Sequence, residues 1–169
     1  MSKPILNLDE VELAPMGFPV PDAQAARFGA SFGQIGTVVG AQKLGYNLTV
    51  VPAGKRAFPL HNHRVNEEMF FILEGRGEVR IGTQTHPIRR GDVIACPPGG
   101  VDTAHQIINT GDSDLRYLAV STKMSPEICD YPDSGKFGVM AIAPGADGKP
   151  DIFRYVSRPG TSLDYWDGE

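Results

Sequence analysis

The spacing of apolar and polar residues divides this chain into three stretches. Residues 1–35, including "APMGFPVPDAQAARFGASFG", sustain neither a helical nor a strand period and are rich in Pro, Gly and Ala. They predict an arm that packs on a core or on a second subunit, or a mobile tail. From "YNLTVVPAG" onward, short apolar segments alternate with turn signals. "MFFILEG" (69–75) is apolar on both strand faces, which predicts a strand covered on both sides. "GEVRIG" (77–82) alternates, "THPIRRGDVIACPPGG" (85–100) turns at Arg90–Gly91–Asp92, and 104–122 reads as two strands around a Gly-Asp turn. Beyond 123 come "FGVMAIA" (137–143) and "DIFRYVS" (151–157), separated by turn-rich stretches. Short strands at regular spacing, with no long helical period, predict an all-β sandwich or barrel.

Composition narrows the class. A chain of 169 residues with 41% hydrophobic residues supports one domain with a sizeable core. We divide it into an arm (1–35), a barrel core (36–122) and a C-terminal extension (123–169). The net charge of −4 and pI of about 5.5 leave no basic patch, and the first 45 residues show no helix-turn-helix pattern, so nucleic acid is not expected as a partner. The N-terminus lacks the apolar stretch of a signal peptide and no run reaches membrane-spanning length, so a cytoplasmic protein without membrane contact is expected. Cys96 and Cys129 share no CxxC spacing and are expected as free thiols, Cys96 as a buried small hydrophobe. Tyr165 and the single tryptophan, Trp166, are expected to cap the barrel.

Candidate chemistry sits in "PLHNHRVNEEMFFILEGRGEV" (59–79). Residues i and i+2 of a strand share a face, so His61 and His63 can enter one cavity. Neutral imidazole is the commonest metal ligand, and a carboxylate completes a mixed nitrogen and oxygen site. Either Glu67 or Glu68 can return to that face across a hairpin, and His105 opens a later strand. His86 is expected at the surface. Arg56, Arg64 and Arg116 are candidates for an anionic substrate, and Phe58, Phe70, Ile72, Ile94 and Ile107 for either a cavity wall or core packing.

These residues resemble the two motifs of the cupin superfamily. In the first, Gly54 is followed by six residues, His61-Asn62-His63, four residues, Glu68, six residues and Gly75. In the second, Gly91 is followed by five residues, Pro97-Pro98-Gly99, five residues, His105, three residues and Asn109. The family pattern has one residue fewer before the first histidine and only two between the PxG glycine and the histidine. The longer loop, Gly100 to Ala104, is expected at the pocket mouth. The resemblance implies a double-stranded β-helix, or jelly-roll, barrel with His61, His63, Glu68 and His105 as ligands of a divalent transition metal (Zn, Fe, Mn or Ni). The spacing to Gly75 selects Glu68 over Glu67, and Gly75, Gly77, Gly91 and Gly99 are assigned to tight turns. It further implies a small-molecule ligand and a metal-dependent enzyme of isomerase or dioxygenase type, resembling stand-alone cupins labelled sugar-phosphate isomerase-like. A non-catalytic sugar-like binding module with a structural metal is the alternative. The Pro-rich arm and an exposed barrel edge predict a homodimer.

Overall fold

The structure is a computed structural model and describes residues 4–16, 19–146 and 148–169. The described residues form thirteen strands, two of them in the arm, where no strand period is sustained. β1 (Ala14–Pro15) and β2 (Ser31–Gln34) come from the arm. β3 (Leu44–Val51), β4 (Asn62–His63), β5 (Glu68–Glu74), β6 (Arg76–Ile81), β7 (Gln84–Arg89), β8 (Val93–Cys96), β9 (His105–Ile108) and β10 (Leu115–Thr122) follow. β11 (Glu127–Tyr131), β12 (Lys136–Pro144) and β13 (Pro150–Ser157) complete the order.

Every ladder is antiparallel. One sheet has the order β1-β2-β3-β10-β5-β8. Opposite it lie β7-β6-β9 and β13-β12-β11-β4, joined where His61 bridges His105. This is an all-β jelly roll. The chain passes from one wall to the other at Gly75, between β5 and β6, with φ +83°. A β-carbon there would strike the backbone of Asp114 and Leu115, so both conformation and space require glycine. Gly91 also has positive φ, as a turn needs. Gly77 and Gly99 do not, contrary to the turn assignment. Gly77 leaves room for the Ile108 carbonyl, and Gly99 for the Thr103 side chain.

Between the walls lies a core that includes Val51, Phe70, Ile72, Val79, Ile94, Cys96, Ile107, Leu115 and Tyr117, all buried. Each large aliphatic side chain buried there contributes roughly 1.5–3 kcal/mol. On the outer face of the large sheet, Leu48 and Val50 meet Leu6, Leu8 and Val11 of the arm, with Leu73 and Leu118 beside them. The arm therefore packs on the core, and β5 is covered on both faces, fully on the inside and partly on the outside. The motif residue Asn109 is wholly buried and donates to the Val51 carbonyl (2.7 Å) and the Ser113 carbonyl (2.8 Å), while accepting from Gly111 N–H (2.9 Å). It ties the β9–β10 turn to β3.

The extension departs from expectation in two places. β11 pairs with β4, Cys129 opposite His63, so its strands continue the wall that carries the histidines. Trp166 and Tyr165 stack edge-on against each other but are 72% and 85% exposed, so they do not cap the barrel. Among the described residues, no helix is long and apolar enough to cross a membrane.

Candidate metal centre

The HxH strand is held by the residue between its histidines. Asn62 points away from the site, is fully buried, and donates to the Gly99 carbonyl (2.8 Å) and Asp130 Oδ2 (2.9 Å). Gly99 N–H donates to the His63 carbonyl (2.8 Å), and the backbones of His61 and His105 bond reciprocally (3.2 and 2.8 Å). β4 is thus pinned on both edges, and His61, His63 and His105 face inward.

Glu68, at the start of β5, completes the set from the opposite wall. Its Oε2 lies 3.0 Å from His105 Nε2, 3.3 Å from His63 Nε2 and 4.0 Å from His61 Nε2. One ligand atom from each of the four residues falls within 4.8 Å of the others. Glu67 is exposed and turned away. The structure therefore brings together all four residues named from the sequence.

The tautomers suit a cation. His61 Nδ1 lies 2.9 Å from the Pro59 carbonyl, and His105 Nδ1 lies 3.3 Å from the Thr103 carbonyl. A carbonyl only accepts, so these nitrogens donate N–H, which leaves each Nε2 to face the Glu68 carboxylate, as a donor to it or as a ligand to a cation. Lone pairs and a carboxylate gathered this way repel unless a proton or cation lies among them. His63 Nε2 is buried, with Glu68 Oε2 at 3.3 Å facing it. This donor set fits a divalent metal of the borderline class.

Without a cation, the cluster is electrically strained in opposite directions. Burial, then the neighbouring His105, lowers the His61 pKa to about 4. For His63 burial acts the same way, but hydrogen bonds to Cys129 and Glu68 and the Glu68 charge overcome it and raise the pKa to about 10. For Glu68 burial favours the neutral acid, yet the His105 and His63 hydrogen bonds hold it well below the usual carboxylate range.

Several supporting residues escaped the sequence reading. Glu127, 4% exposed, accepts from the backbone N–H groups of Asn66 (2.9 Å), Val65 (3.2 Å) and Ile128 (2.8 Å) and from the Asn66 side chain. Its Oε2 is also 3.4 Å from His63 Nδ1. It therefore fixes the β4–β5 loop and orients His63 from behind, as carboxylates do for metal-bound imidazoles. Cys129 Sγ is 3.4 Å from the same Nδ1, and the Tyr131 ring lies parallel to His61 at 6.1 Å. The signal was the alternation Glu127-x-Cys129-x-Tyr131, which puts all three on one strand face.

The centre opens onto a cleft of about 840 Å³, bounded by His63, Glu68, the β10–β11 connection and the β12–β13 hairpin. Residues 100–104 do not line it, contrary to expectation; they fold into a 3-10 turn (Val101–Thr103) whose Ala104 carbonyl accepts from Gly82 N–H. Phe70, Ile72, Ile94 and Ile107 belong to the core, Phe70 backing the His105 ring at 5.6 Å. Phe58 is exposed and does not line the cleft, its ring edge-on to His61. Arg64 forms a fork with Asp130 (2.9 and 3.0 Å), Arg116 faces Glu74 (3.7 Å), and Arg56 bridges Phe28 and Ile108, so none of the three enters the cleft. His86 is exposed, Cys96 is buried, and both cysteines are free. Burial raises the Cys96 thiol to about 12, so it stays protonated.

Comparison with known proteins places this geometry in a family. A family model described as "Cupin domain" matches residues 47–121. An uncharacterised protein of Methanocaldococcus jannaschii is 38% identical over 72 residues, covering 43% of this chain and 54% of that protein. An oxalate-binding protein of Thermotoga maritima is 39% identical over 61 residues, 36% of this chain and 48% of that protein. The chain thus spans about half the length of these curated relatives. Over nearly the full length, the fold is similar to a crystal structure described as a sugar phosphate isomerase from a cupin superfamily, of Silicibacter pomeroyi. The TM-score is 0.77 at 26% identity, covering 97% of this chain and 98% of that one. Both motifs, the jelly roll and the converging side chains agree with this match, so residues 47–121 form a cupin domain and the whole fold is similar to that cupin-superfamily structure.

Proposed function

We propose that this protein is a metal-dependent cupin enzyme acting on a small oxygenated metabolite by isomerase-type chemistry, with His61, His63, Glu68 and His105 as the ligands. The observation that carries this is the convergence of three imidazole Nε2 atoms on Glu68 Oε2, with His63 Nε2 buried. A zinc, iron, manganese or nickel ion held there would supply Lewis-acid polarisation of a substrate carbonyl or hydroxyl. The chain's own residues supply the rest. Glu127 and the two backbone carbonyls orient the imidazoles, and the cleft beside His63 and Glu68 gives a substrate access. The similarity to a protein described as a sugar phosphate isomerase supports the isomerase class over dioxygenation. The test is turnover. Metal-loaded protein incubated with a panel of aldoses, ketoses and their phosphates is expected to interconvert at least one pair by proton NMR, and His105→Ala to lose it. Metal-loaded protein that converts no member of the panel would contradict the assignment.

One observation favours a second reading, a binding module with a structural metal. The cleft's other buried carboxylate, Glu127, is fully engaged by N–H donors and is not available as a general base. Tight binding without turnover would select this reading. In either case we assign a homodimer. β13 is an eight-residue edge strand with Phe153 and Tyr155 exposed, and natural sheets cover such edges.

A further inference from the structure

The His63 ring is met on two sides. Its Nε2 faces Glu68, 3.3 Å away, inside the centre described above. Its Nδ1 meets β11, where Cys129 Sγ and Glu127 Oε2 each stand at 3.4 Å. Strand register accounts for the grouping. Cys129 lies directly opposite His63 across β4 and β11, and Glu127 is two residues along on the same face. One donor atom from each of the three residues falls within 4.8 Å of the others.

These separations match the edges of a small tetrahedral site. Bonds of about 2.05 Å to nitrogen, 2.1 Å to oxygen and 2.3 Å to sulfur put nitrogen about 3.4 Å from oxygen and about 3.6 Å from sulfur. Hydrogen bonding alone fits less well. One N–H serves one acceptor, and Glu127 Oε2 at 3.4 Å stands beyond the usual N–H···O length of about 2.7–3.2 Å. The Asn66 backbone N–H holds that oxygen in place at 2.9 Å, and carboxylates that bind metals are themselves hydrogen-bonded. The contact a cation would displace is the one from the Asn66 side chain, whose amide keeps its bond to the Met124 carbonyl (3.0 Å).

The surroundings select the kind of ion. His63, Glu127 and Cys129 all line the cleft, so an ion can reach them. Met124 and Met140 line the same cleft, Met140 directly opposite Glu127 on β12. Thiolate beside thioether favours soft ions such as zinc and copper(I), whereas the four-ligand centre offers only nitrogen and oxygen.

We propose that His63 Nδ1, Glu127 and Cys129 form a second cation site, specific for thiophilic ions. Binding releases the thiol proton. Neutral imidazole carries one lone pair, so an ion at Nδ1 and an ion at Nε2 draw on His63 in turn. A soft ion on the β11 side therefore competes with the four-ligand centre for its second histidine.

Cobalt(II) titration of metal-free, reduced protein without oxygen tests this, because a bound thiolate gives a sulfur-to-cobalt charge-transfer band in the near ultraviolet. His105→Ala disables the four-ligand centre and leaves the three donors of the second site, so it should show the band. Wild type at one equivalent of cobalt should show it more weakly. Adding Cys129→Ser to His105→Ala should abolish the band, and adding Cys96→Ala should leave it. If His105→Ala does not fold, His61→Ala replaces it. A band absent from the variant that folds, kept by Cys129→Ser or lost with Cys96→Ala would overturn the site. Equal bands in wild type and His105→Ala would overturn the sharing of His63. The four-ligand centre is judged separately, by the cobalt that Cys129→Ser alone retains without the band.

Discussion

Glu127 offers the sharpest test of how the centre is supported. Glu127→Gln keeps the shape and removes the charge. The native Oε1 accepts from Val65 and Ile128 N–H, and Oε2 accepts from Asn66 and faces His63 Nδ1. In either orientation the new amide NH₂ meets N–H donors. The less costly choice places it against Val65 and Ile128, so two hydrogen bonds to a charged acceptor are lost. At roughly 1.5–3 kcal/mol each, with local relaxation, a destabilisation of about 3 kcal/mol is expected. Glu127 is nearly inaccessible, so solvent does little to soften this. Loss of the carboxylate behind His63 should also lower metal affinity about 10–100-fold. Urea denaturation of the metal-free protein reads the first effect, and competition with a chromophoric chelator the second. Glu67→Gln, at an exposed position, should change stability by no more than about 0.5 kcal/mol. A Glu127→Gln protein with wild-type stability and wild-type metal affinity would refute the reasoning.

Other predictions follow from the same geometry. Because the His63 pKa is raised to about 10 in the metal-free protein, metal must displace its proton at neutral pH. Affinity should therefore rise about tenfold per pH unit from 7 to 9, with one proton released per ion, as read by titration in buffers of different ionisation enthalpy; a flat profile would contradict it. Metal-free stability should run the other way. The raised His63 pKa stabilises the fold fully below its unfolded value near 6.5 and progressively less up to about 10. The lowered Glu68 pKa stabilises it above its unfolded value near 4.5 and is lost on acidification. The lowered His61 pKa costs stability as pH falls from about 6.5 to about 4, so the metal-free melting temperature should peak near pH 6.5. Gly77→Ala should destabilise by about 3 kcal/mol or more in urea denaturation, since its methyl would collide with the Ile108 carbonyl, whereas wild-type stability would show that the walls can part. Light scattering should give a dimer mass, and Tyr155→Lys on the exposed edge should yield the monomer; a monomer at all concentrations would contradict the dimer.

Much of this fold was legible because short-period alternation and glycine turns are local signals. β5 through β10 fall within a residue or so of the segments read from the sequence. The four side chains that converge were legible through spacing, and the distance to Gly75 selects Glu68 over Glu67; the strand phase alone leaves the two glutamates equal. What stayed hidden depends on pairing between distant segments. Nothing local says that β11 lies against β4, so Glu127, Cys129 and Tyr131 read as parts of an appendage. For the same reason, loop 100–104 was assigned to a pocket mouth that β12 and β13 in fact form. Trp166 departs from expectation because aromatic burial is a tendency of side chains, and here the C-terminal segment that carries it leaves the ring exposed.

The central claim is that His61, His63, Glu68 and His105 hold one divalent ion, and the most direct test is elemental analysis. Protein purified without added metal or chelator, then reconstituted, should carry close to one transition-metal ion per chain. His61→Ala and His105→Ala should each lose most of it, with the fold checked by circular dichroism. Wild type that takes up no metal after reconstitution, or variants that keep it with unchanged affinity, would contradict the account.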